Sequence, residues 1–331
     1  MLSLKSSALR KGLRIAVIGT RLSPIQVKAE AVDYTVLRTM SSGHLLPSTL
    51  VRGIEQLEPM PVTAQRLVAL MQGEDVSLAK IAELVEFDQA IAASVLRMAR
   101  SWAHAGSRPP ETVRDAVVRL GTVPLLNLIL GEYLSRLRTA APLYDLTEDD
   151  LWGHAAASQL AVRALMQECP SANLPPVATT AALLHDIGKL VMSRCLNASV
   201  ETIVDHAKQH GVTFVEAEQQ LFGVNHAAVG AAIALDWQFP EIVTDAIARH
   251  HDGHLGTSTP VLDAVVIANM VAKNIGMGLG AEGFNLTVDS ECVNRLGLDF
   301  TRFARVCLQT DTWLRELRAQ TGLGRTPAMR G

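Results

Sequence analysis

Aromatic residues, cysteines and long apolar runs are all scarce in this chain of 331 residues. Only 4% of its residues are aromatic, and its four cysteines lack the C-x-x-C spacing of a zinc ribbon, so that class is excluded. A chain of this length can bury a core without disulfides, and we expect free thiols in a reducing cytosol. No apolar run approaches the roughly 18 residues of a membrane span, and Ile15–Gly19 is too short for a signal-peptide core. These absences predict a soluble, cytoplasmic protein with no membrane partner.

The net charge of −3 conceals an uneven distribution. Residues 1–50 carry +5 and residues 301–331 carry +4, which leaves −12 on residues 51–300. The acidic body should therefore repel nucleic acid, and any such binding is confined to the basic ends. Because these ends lack interleaved aromatic residues, solvated extensions are the simpler interpretation. Met40 lies shortly before the body and leaves the start codon open.

Apolar residues recur at helical spacing through most of the body, whereas strand-like alternation is scarce. Helix start signals agree with this, since Ser77 and Thr147 precede periodic segments and Thr213 with Glu216 forms a capping box. The pattern predicts an all-α fold. Its best exception, Leu13–Gly19, is either a short strand or an apolar patch in a loose extension.

Loops rich in Gly, Pro, Ser or Asn divide the chain into segments. We predict a basic N-terminal extension over residues 1–50, a helical block over 51–145, a helical core over 146–280, and a less regular C-terminal extension over 281–331 with a frayed end.

The histidines are the most informative feature of the sequence. His185 and Asp186 are adjacent in LLHDIGKL, and His250 and His251 precede Asp252 in ARHHDGH. Imidazole nitrogen and carboxylate oxygen together suit Zn, Mn, Fe or Ni. A His-Asp dipeptide on a helix directs its side chains about 100° apart, so it can seat one ion between helices or contribute to two neighbouring ions. The pattern predicts a site for a divalent transition metal.

Two further residues fit such a site, and each also has an ordinary explanation. Lys189 lies on the same helical face as Asp186 and can contact an anionic oxygen held at the metal. His154 on the preceding helix can close the site, although a polar residue near a helix start is common. His226 is equally explained as the first residue of a helix behind an Asn225 cap. No role is assigned to His44, His104, His206, His210 and His254.

These segments carry a family resemblance. LLHDIGKL, followed by LFGVNHAAVGAAIALDWQFPEIVTDAIARHHD, resembles the second half of the HDOD family, the HD-related output domains of bacterial signalling proteins. LEPMPVTAQRLVALMQGEDVSLAKIAELVEFDQAIAASVLRMARS and ETVRDAVVRLGTVPLLNLIL are similar to the family's N-terminal block. The resemblance covers residues 54–256 and neither basic end. It implies an N-terminal helical bundle packed on an HD-like helical core.

The wider HD superfamily hydrolyses phosphate esters with bound metals, and the resemblance implies roles by position. His154 resembles the first metal ligand, and His185 and Asp186 resemble the central pair. Lys189 resembles the lysine that contacts substrate phosphate. Three further histidines resemble the additional metal ligands of the two- and three-metal HD-GYP phosphodiesterases. They are His226, His250 and His251.

The sequence departs from the family pattern at its end. Asn269 stands where a final Asp is expected, the nearest carboxylate is Asp263 six residues earlier, and HHDGHLGTS lacks the Gly-Tyr-Pro signature. A neutral amide oxygen can coordinate, but it removes a charge that helps to hold a dication and to polarise a metal-bound water. Metal affinity should fall, and the bound water should be a poorer nucleophile.

Two functions remain open on this basis. The departure favours a non-catalytic or degenerate signalling domain that acts through signalling proteins and binds a metal or a nucleotide in a vestigial HD site. The retained donors favour a metal-dependent phosphohydrolase acting on nucleotides or cyclic dinucleotides. The expected ion is Fe, Mn, Zn or Ni, or none. An ion pair between Lys189 and Asp186 would favour a structural role, whereas an Asn269 amide directed at an ion would favour the hydrolase.

Overall fold

The computed structural model describes residues 46–73, 77–101, 110–137, 142–251, 257–278, 280 and 290–321. These residues are mainly helical and contain no β-strand, so the prediction of an all-α fold is confirmed for them. The candidate strand Leu13–Gly19 lies outside the described residues, as do His44, His104 and His254.

Six α-helices form the N-terminal block. They are α1 (Ser48–Glu55), α2 (Val62–Met71), α3 (Leu78–Phe87), α4 (Gln89–Ser101), α5 (Val113–Leu120) and α6 (Thr122–Arg136), followed by a 3-10 turn at Pro142–Tyr144.

The remaining helices follow after this turn. They are α7 (Glu148–Glu168), α8 (Ala178–Leu184), α9 (Gly188–Cys195), α10 (Val200–His210), α11 (Phe214–Phe222), α12 (His226–Asp236), α13 (Glu241–Arg249), α14 (Pro260–Asn274), α15 (Ser290–Arg295) and α16 (Phe300–Thr321), with a 3-10 turn at Pro170–Ala172.

Side-chain caps fix where several helices begin. Thr147 and Asp150 form a capping box at the start of α7, and Thr213 and Glu216 form another at α11, where the hydroxyl accepts from the backbone N–H of the third helical residue. Such caps satisfy N–H groups that have no partner within the helix. The Asn225 side chain accepts from Ala228 N at 2.9 Å. The predicted helix starts at 147, 213 and 225 are therefore confirmed.

Helix α7 lies at the centre of the second half. It packs against α8, α14 and α16, while α12 packs against α9 and α13. The N-terminal block joins this half through contacts of α1 with α9 and of α6 with α8. This packing brings together the segments that carry the predicted ligands: α7, the α8–α9 turn, the start of α12 and the end of α13.

The C-terminal segment is more ordered than the sequence pattern predicts. Residues 281–331 were expected to be less regular, but Phe300–Thr321 forms a helix of 22 residues. Its buried stripe contains Val306, Thr310 and Leu314, which lie one turn apart. The helix packs on α7 with this stripe, and many of its other residues are charged. Because few of its residues are apolar, the spacing of apolar residues in the sequence does not indicate this helix.

Within the described ranges, no single helix is both long and apolar enough to cross a membrane. Helices α5 and α6 reach the length and apolar composition of a membrane span only when they are taken together, and the chain bends by 110° between them.

Candidate metal centre

The Asp186 carboxylate lies at the middle of a buried cluster of histidines. Asp186 follows α8 in the turn before α9 and is only 4% exposed. Each of its oxygens faces a different set of imidazoles. The structure thus brings together all the predicted metal ligands as two overlapping groups, namely His154, His185 and Asp186, and Asp186, His226, His250 and His251.

The first group surrounds Asp186 Oδ2. His154 Nε2 lies 3.4 Å and His185 Nε2 lies 3.5 Å from this oxygen. The two Nε2 atoms are 3.2 Å apart. Lys189 Nζ also donates to Oδ2, at 2.9 Å.

The second group surrounds Asp186 Oδ1. His226 Nε2 lies 3.3 Å and His250 Nε2 lies 3.6 Å from it. His251 Nε2 approaches His226 Nε2 to 2.9 Å. Among the residues that the structure describes, neither Asp186 Oδ1 nor His250 Nε2 has a hydrogen-bond partner. Buried acceptors without donors are costly, and a cation between them would satisfy both.

The Nδ1 atoms fix the tautomers of the rings. Three of them lie 2.8–3.0 Å from backbone carbonyl oxygens, in the pairs His154 with Met277, His185 with Ala182, and His250 with Ile247. Because a carbonyl only accepts, each Nδ1 carries the proton and each Nε2 presents a lone pair towards Asp186. This is the arrangement in which imidazole binds metals.

A buried carboxylate that the sequence motif did not indicate holds the fourth ring. Glu218 on α11 is fully buried, and its Oε2 accepts from both the backbone N (3.1 Å) and Nδ1 (2.8 Å) of His226. Tyr144 donates its hydroxyl to Glu218 Oε1 at 2.5 Å. Only the fold joins these residues, since Tyr144 and His226 are far apart in the chain and share no motif.

Burial keeps the rings neutral. It lowers the pKa of His154 to about 4, and it holds the pKa of His185 and His251 well below the ordinary value. The pKa of His250 is lowered for the same reason. Burial alone would raise the pKa of Asp186, but the Lys189 ammonium outweighs it and lowers that pKa strongly. These four rings are therefore neutral beside an ionised carboxylate.

The donor spacing fits a transition metal. Two ligands at Zn–N bond lengths of about 2.0–2.1 Å, in octahedral or tetrahedral geometry, lie about 2.9–3.4 Å apart. The short contacts among these donors span 2.9–3.6 Å, and all the ligand atoms of each group lie within 4.8 Å of one another. Five imidazoles and one carboxylate suit the borderline ions Zn, Mn, Fe and Ni.

Helix α14 supplies no carboxylate to this centre. Asn269 is buried, and in the described part of the chain its Oδ1 has no hydrogen-bond partner. Asp263 is held by the Arg295 guanidinium through two bonds of 2.8 Å and by Ser258 at 2.6 Å. Lys273, one turn after Asn269, is also buried, and its charge lowers the pKa of His154. The sequence pattern did not single out Lys273.

Lys189 forms an ion pair with Asp186, which is the contact expected of a structural role. Its ammonium contacts one oxygen of Asp186, and it lies 5.3 Å from the centroid of the Tyr144 ring. The pair does not fill the centre, because Oδ1 faces away from it towards His226 and His250.

The helical core and its buried histidine–aspartate cluster define a class of protein, the all-helical proteins with a candidate metal centre between their helices. Comparison with known families is more specific. The family model of the HDOD domain matches residues 57–253, which is more than half of the chain. The chain belongs to the HDOD domain family, and the expected resemblance is confirmed.

Two solved structures share this fold, and one further protein is similar in sequence. An HDOD domain protein of unknown function from Geobacter sulfurreducens is 25% identical with a TM-score of 0.59, over 82% of this chain and 96% of that one. A proposed phosphohydrolase from Shewanella amazonensis SB2B is 21% identical with a TM-score of 0.57, over 81% and 98%. An uncharacterized protein of Treponema pallidum (strain Nichols) is 22% identical over 230 residues, which are 69% of this chain and 44% of that protein. This chain thus spans less than half the length of that relative.

Proposed function

We propose that this chain is a regulatory HDOD domain that binds a divalent transition metal at the Asp186 centre and acts through protein partners rather than by hydrolysis. The observation that carries the proposal is the convergence of imidazole Nε2 lone pairs on the two Asp186 oxygens, with the opposite nitrogens of four rings tied to acceptors. Neutral, oriented imidazoles bind transition metals without a further cost of deprotonation or ordering. A bound ion would act here as a Lewis acid and would link the elements that carry its ligands.

The charge balance argues against turnover. Asp186 is shared between the two donor groups and is already paired with Lys189. Asn269 contributes no charge, and Arg295 holds Asp263. Few carboxylates remain to accept a proton from a metal-bound water, so its activation as a nucleophile would be weak.

Signalling proteins are the partners that we propose, and a nucleotide is a further candidate ligand. The family membership supports a role in signalling, and the buried Lys189 supports an anionic ligand at the centre. In the described part of the chain no disulfide joins the cysteines at 169, 195, 292 and 307, which supports a location in a reducing cytoplasm.

A metal-dependent phosphohydrolase is the second candidate. It is favoured by the presence of Lys189 beside Asp186, where an ammonium can hold a phosphate oxygen. The two candidates differ in one measurable property, which is turnover of a phosphate ester.

Metal content and hydrolysis measured on the same protein separate these functions. We expect wild-type protein to retain a transition metal after gel filtration and Asp186→Ala to lose it, as measured by elemental mass spectrometry, because Asp186 is the donor common to both groups. Neither protein should hydrolyse cyclic dinucleotides or nucleoside phosphates with added Mn²⁺ or Mg²⁺.

The matched control is Asp205→Ala, since Asp205 is exposed on α10. It should retain the metal of the wild type. Metal-dependent hydrolysis that disappears in Asp186→Ala and persists in Asp205→Ala would establish the second candidate, and wild-type protein without metal would contradict both.

A further inference from the structure

We infer that the two sides of the centre are unequal. The structure assigns one tightly bound divalent ion to the Oδ1 side, formed by Asp186, His226, His250 and His251, and it assigns to Lys189 the role of competing with a second ion for Asp186 Oδ2. The inference rests on the proposed function, because it requires that the centre binds a metal. It concerns how many ions bind and where.

Lys189 already neutralises the oxygen that a second ion would need. Its Nζ lies 2.9 Å from Oδ2, and both side chains are only 5% exposed. Water screens such a buried pair very little, so the attraction is much stronger than at a surface. An ion on the same oxygen would have to displace the ammonium or lie beside a like charge.

Asp186 Oδ1 is not paired in this way. Within the described residues, Asp186 Oδ1 and His250 Nε2 both lack a hydrogen-bond partner, and His226 Nε2 lies 3.3 Å from the same oxygen. Two acceptors without donors therefore face this point, together with His226 Nε2, which also lies 2.9 Å from His251 Nε2. A cation there satisfies both of these acceptors, whereas the Lys189 ammonium pairs with the other oxygen of Asp186.

The groups that accept hydrogen bonds from the Nδ1 atoms also favour metal binding on the Oδ1 side. His226 is held by the carboxylate of Glu218 at 2.8 Å, whereas His154 and His185 are held by neutral backbone carbonyls. A carboxylate behind a ligating imidazole raises its basicity and its affinity for metal. The Oδ1 side also offers four donor residues, and the Oδ2 side offers three in the part of the chain described.

Metal stoichiometry in four proteins tests this assignment. Each is loaded with excess Zn²⁺, passed through gel filtration and analysed for zinc per chain. We expect about one ion in the wild type and in His154→Ala, far less than one in His226→Ala, and about two in Lys189→Met, because the neutral side chain frees Oδ2. Circular dichroism spectra confirm that each variant is folded.

Two exposed positions on α10 provide matched controls. Lys208→Met removes an ammonium and His210→Ala removes an imidazole, and both residues are exposed. The His210 control also shows how much zinc the stacked surface pair His206 and His210 takes up, since their ring centroids are 4.1 Å apart. Both controls should match the wild type after any surface zinc is subtracted.

Anomalous diffraction at the zinc edge locates the ion in wild-type crystals and does not depend on the folding of any variant. Density on the Oδ1 side supports the inference. Two tightly bound ions in the wild type, density only on the Oδ2 side, or one ion in Lys189→Met would overturn it and leave the proposed function standing. Absence of zinc from the wild type would instead refute the proposed function, and the inference with it.

Discussion

Glu218 acts on the centre through the His226 ring. It accepts two hydrogen bonds from His226, through the backbone N and Nδ1, and one from the Tyr144 hydroxyl. The proton on His226 is thereby fixed at Nδ1, and Nε2 is left as a metal ligand. A carboxylate that accepts from Nδ1 also raises the basicity of the imidazole as a metal ligand.

Replacing this carboxylate by an amide of similar size should weaken metal binding without creating a cavity. In Glu218→Gln the amide oxygen can still accept from His226, but the charge is lost, and we expect zinc affinity to fall about 10–100-fold. Competition with a chromophoric chelator measures the change. Glu316→Gln is the control, because Glu316 is exposed on α16. An affinity equal to that of the wild type would show that the Glu218 charge does not act through His226.

The sequence could predict the metal-binding side chains better than their surroundings. His185 and Asp186 form a recognisable dipeptide, and His226 was identified by family position although an ordinary helix start explained it equally well. Glu218 and Tyr144 carry no such signal, because their relation to His226 arises only where α11, α12 and the turn before α7 meet. Burial and partners are properties of the fold, which short motifs do not encode.

At the scale of helices, the distance between α9 and α12 determines whether the Oδ1 side can form. A Cβ on Gly188 would lie only 2.7 Å from Gly230 N and would overlap the His226 carbonyl oxygen. The two helices therefore cross with backbone against backbone. Asp186 precedes α9 and His226 begins α12, so this crossing holds the carboxylate and the imidazole at 3.3 Å.

A single methyl group at this crossing should separate the two ligands. We expect Gly188→Ala to destabilise the protein by about 1–3 kcal/mol, as other overpacked cores do, and to lower zinc affinity as well. Urea unfolding and zinc titration measure the two effects. Gly131→Ala is the control, since a Cβ there meets no atom within 4 Å. Full zinc affinity in a destabilised Gly188→Ala would contradict a role of this crossing in placing the ligands.

Helices were predictable where apolar period and caps agree, and less so elsewhere. Thr147 and Thr213 mark the starts of α7 and α11 in the sequence and in the structure. Helix α16 was missed because it buries only a narrow stripe, in which Thr310 lies between Val306 and Leu314. An exposed, charged helix is fixed by its packing on α7, and an apolar pattern detects such a helix poorly.

For the whole molecule, the centre makes stability depend on pH. Four histidines with a lowered pKa surround one carboxylate, and they are His154, His185, His250 and His251. Above the ordinary imidazole pKa of about 6.5, the rings are neutral in both the folded and the unfolded chain and favour neither. Below it, the unfolded chain binds protons that the folded chain excludes.

The metal-free protein should therefore lose stability as the pH falls from about 7 to 5, before most carboxylates titrate. His154, whose pKa is lowered to about 4, would alone cost roughly 2 kcal/mol at pH 5, which lies about 1.5 units below the ordinary imidazole pKa. Urea unfolding in the presence of a chelator, at a series of pH values, measures the trend. His154→Gln should reduce the slope and the exposed His210→Ala should not. A free energy of unfolding that stays constant from pH 7 to 5 would show that these imidazoles accept protons in the folded protein.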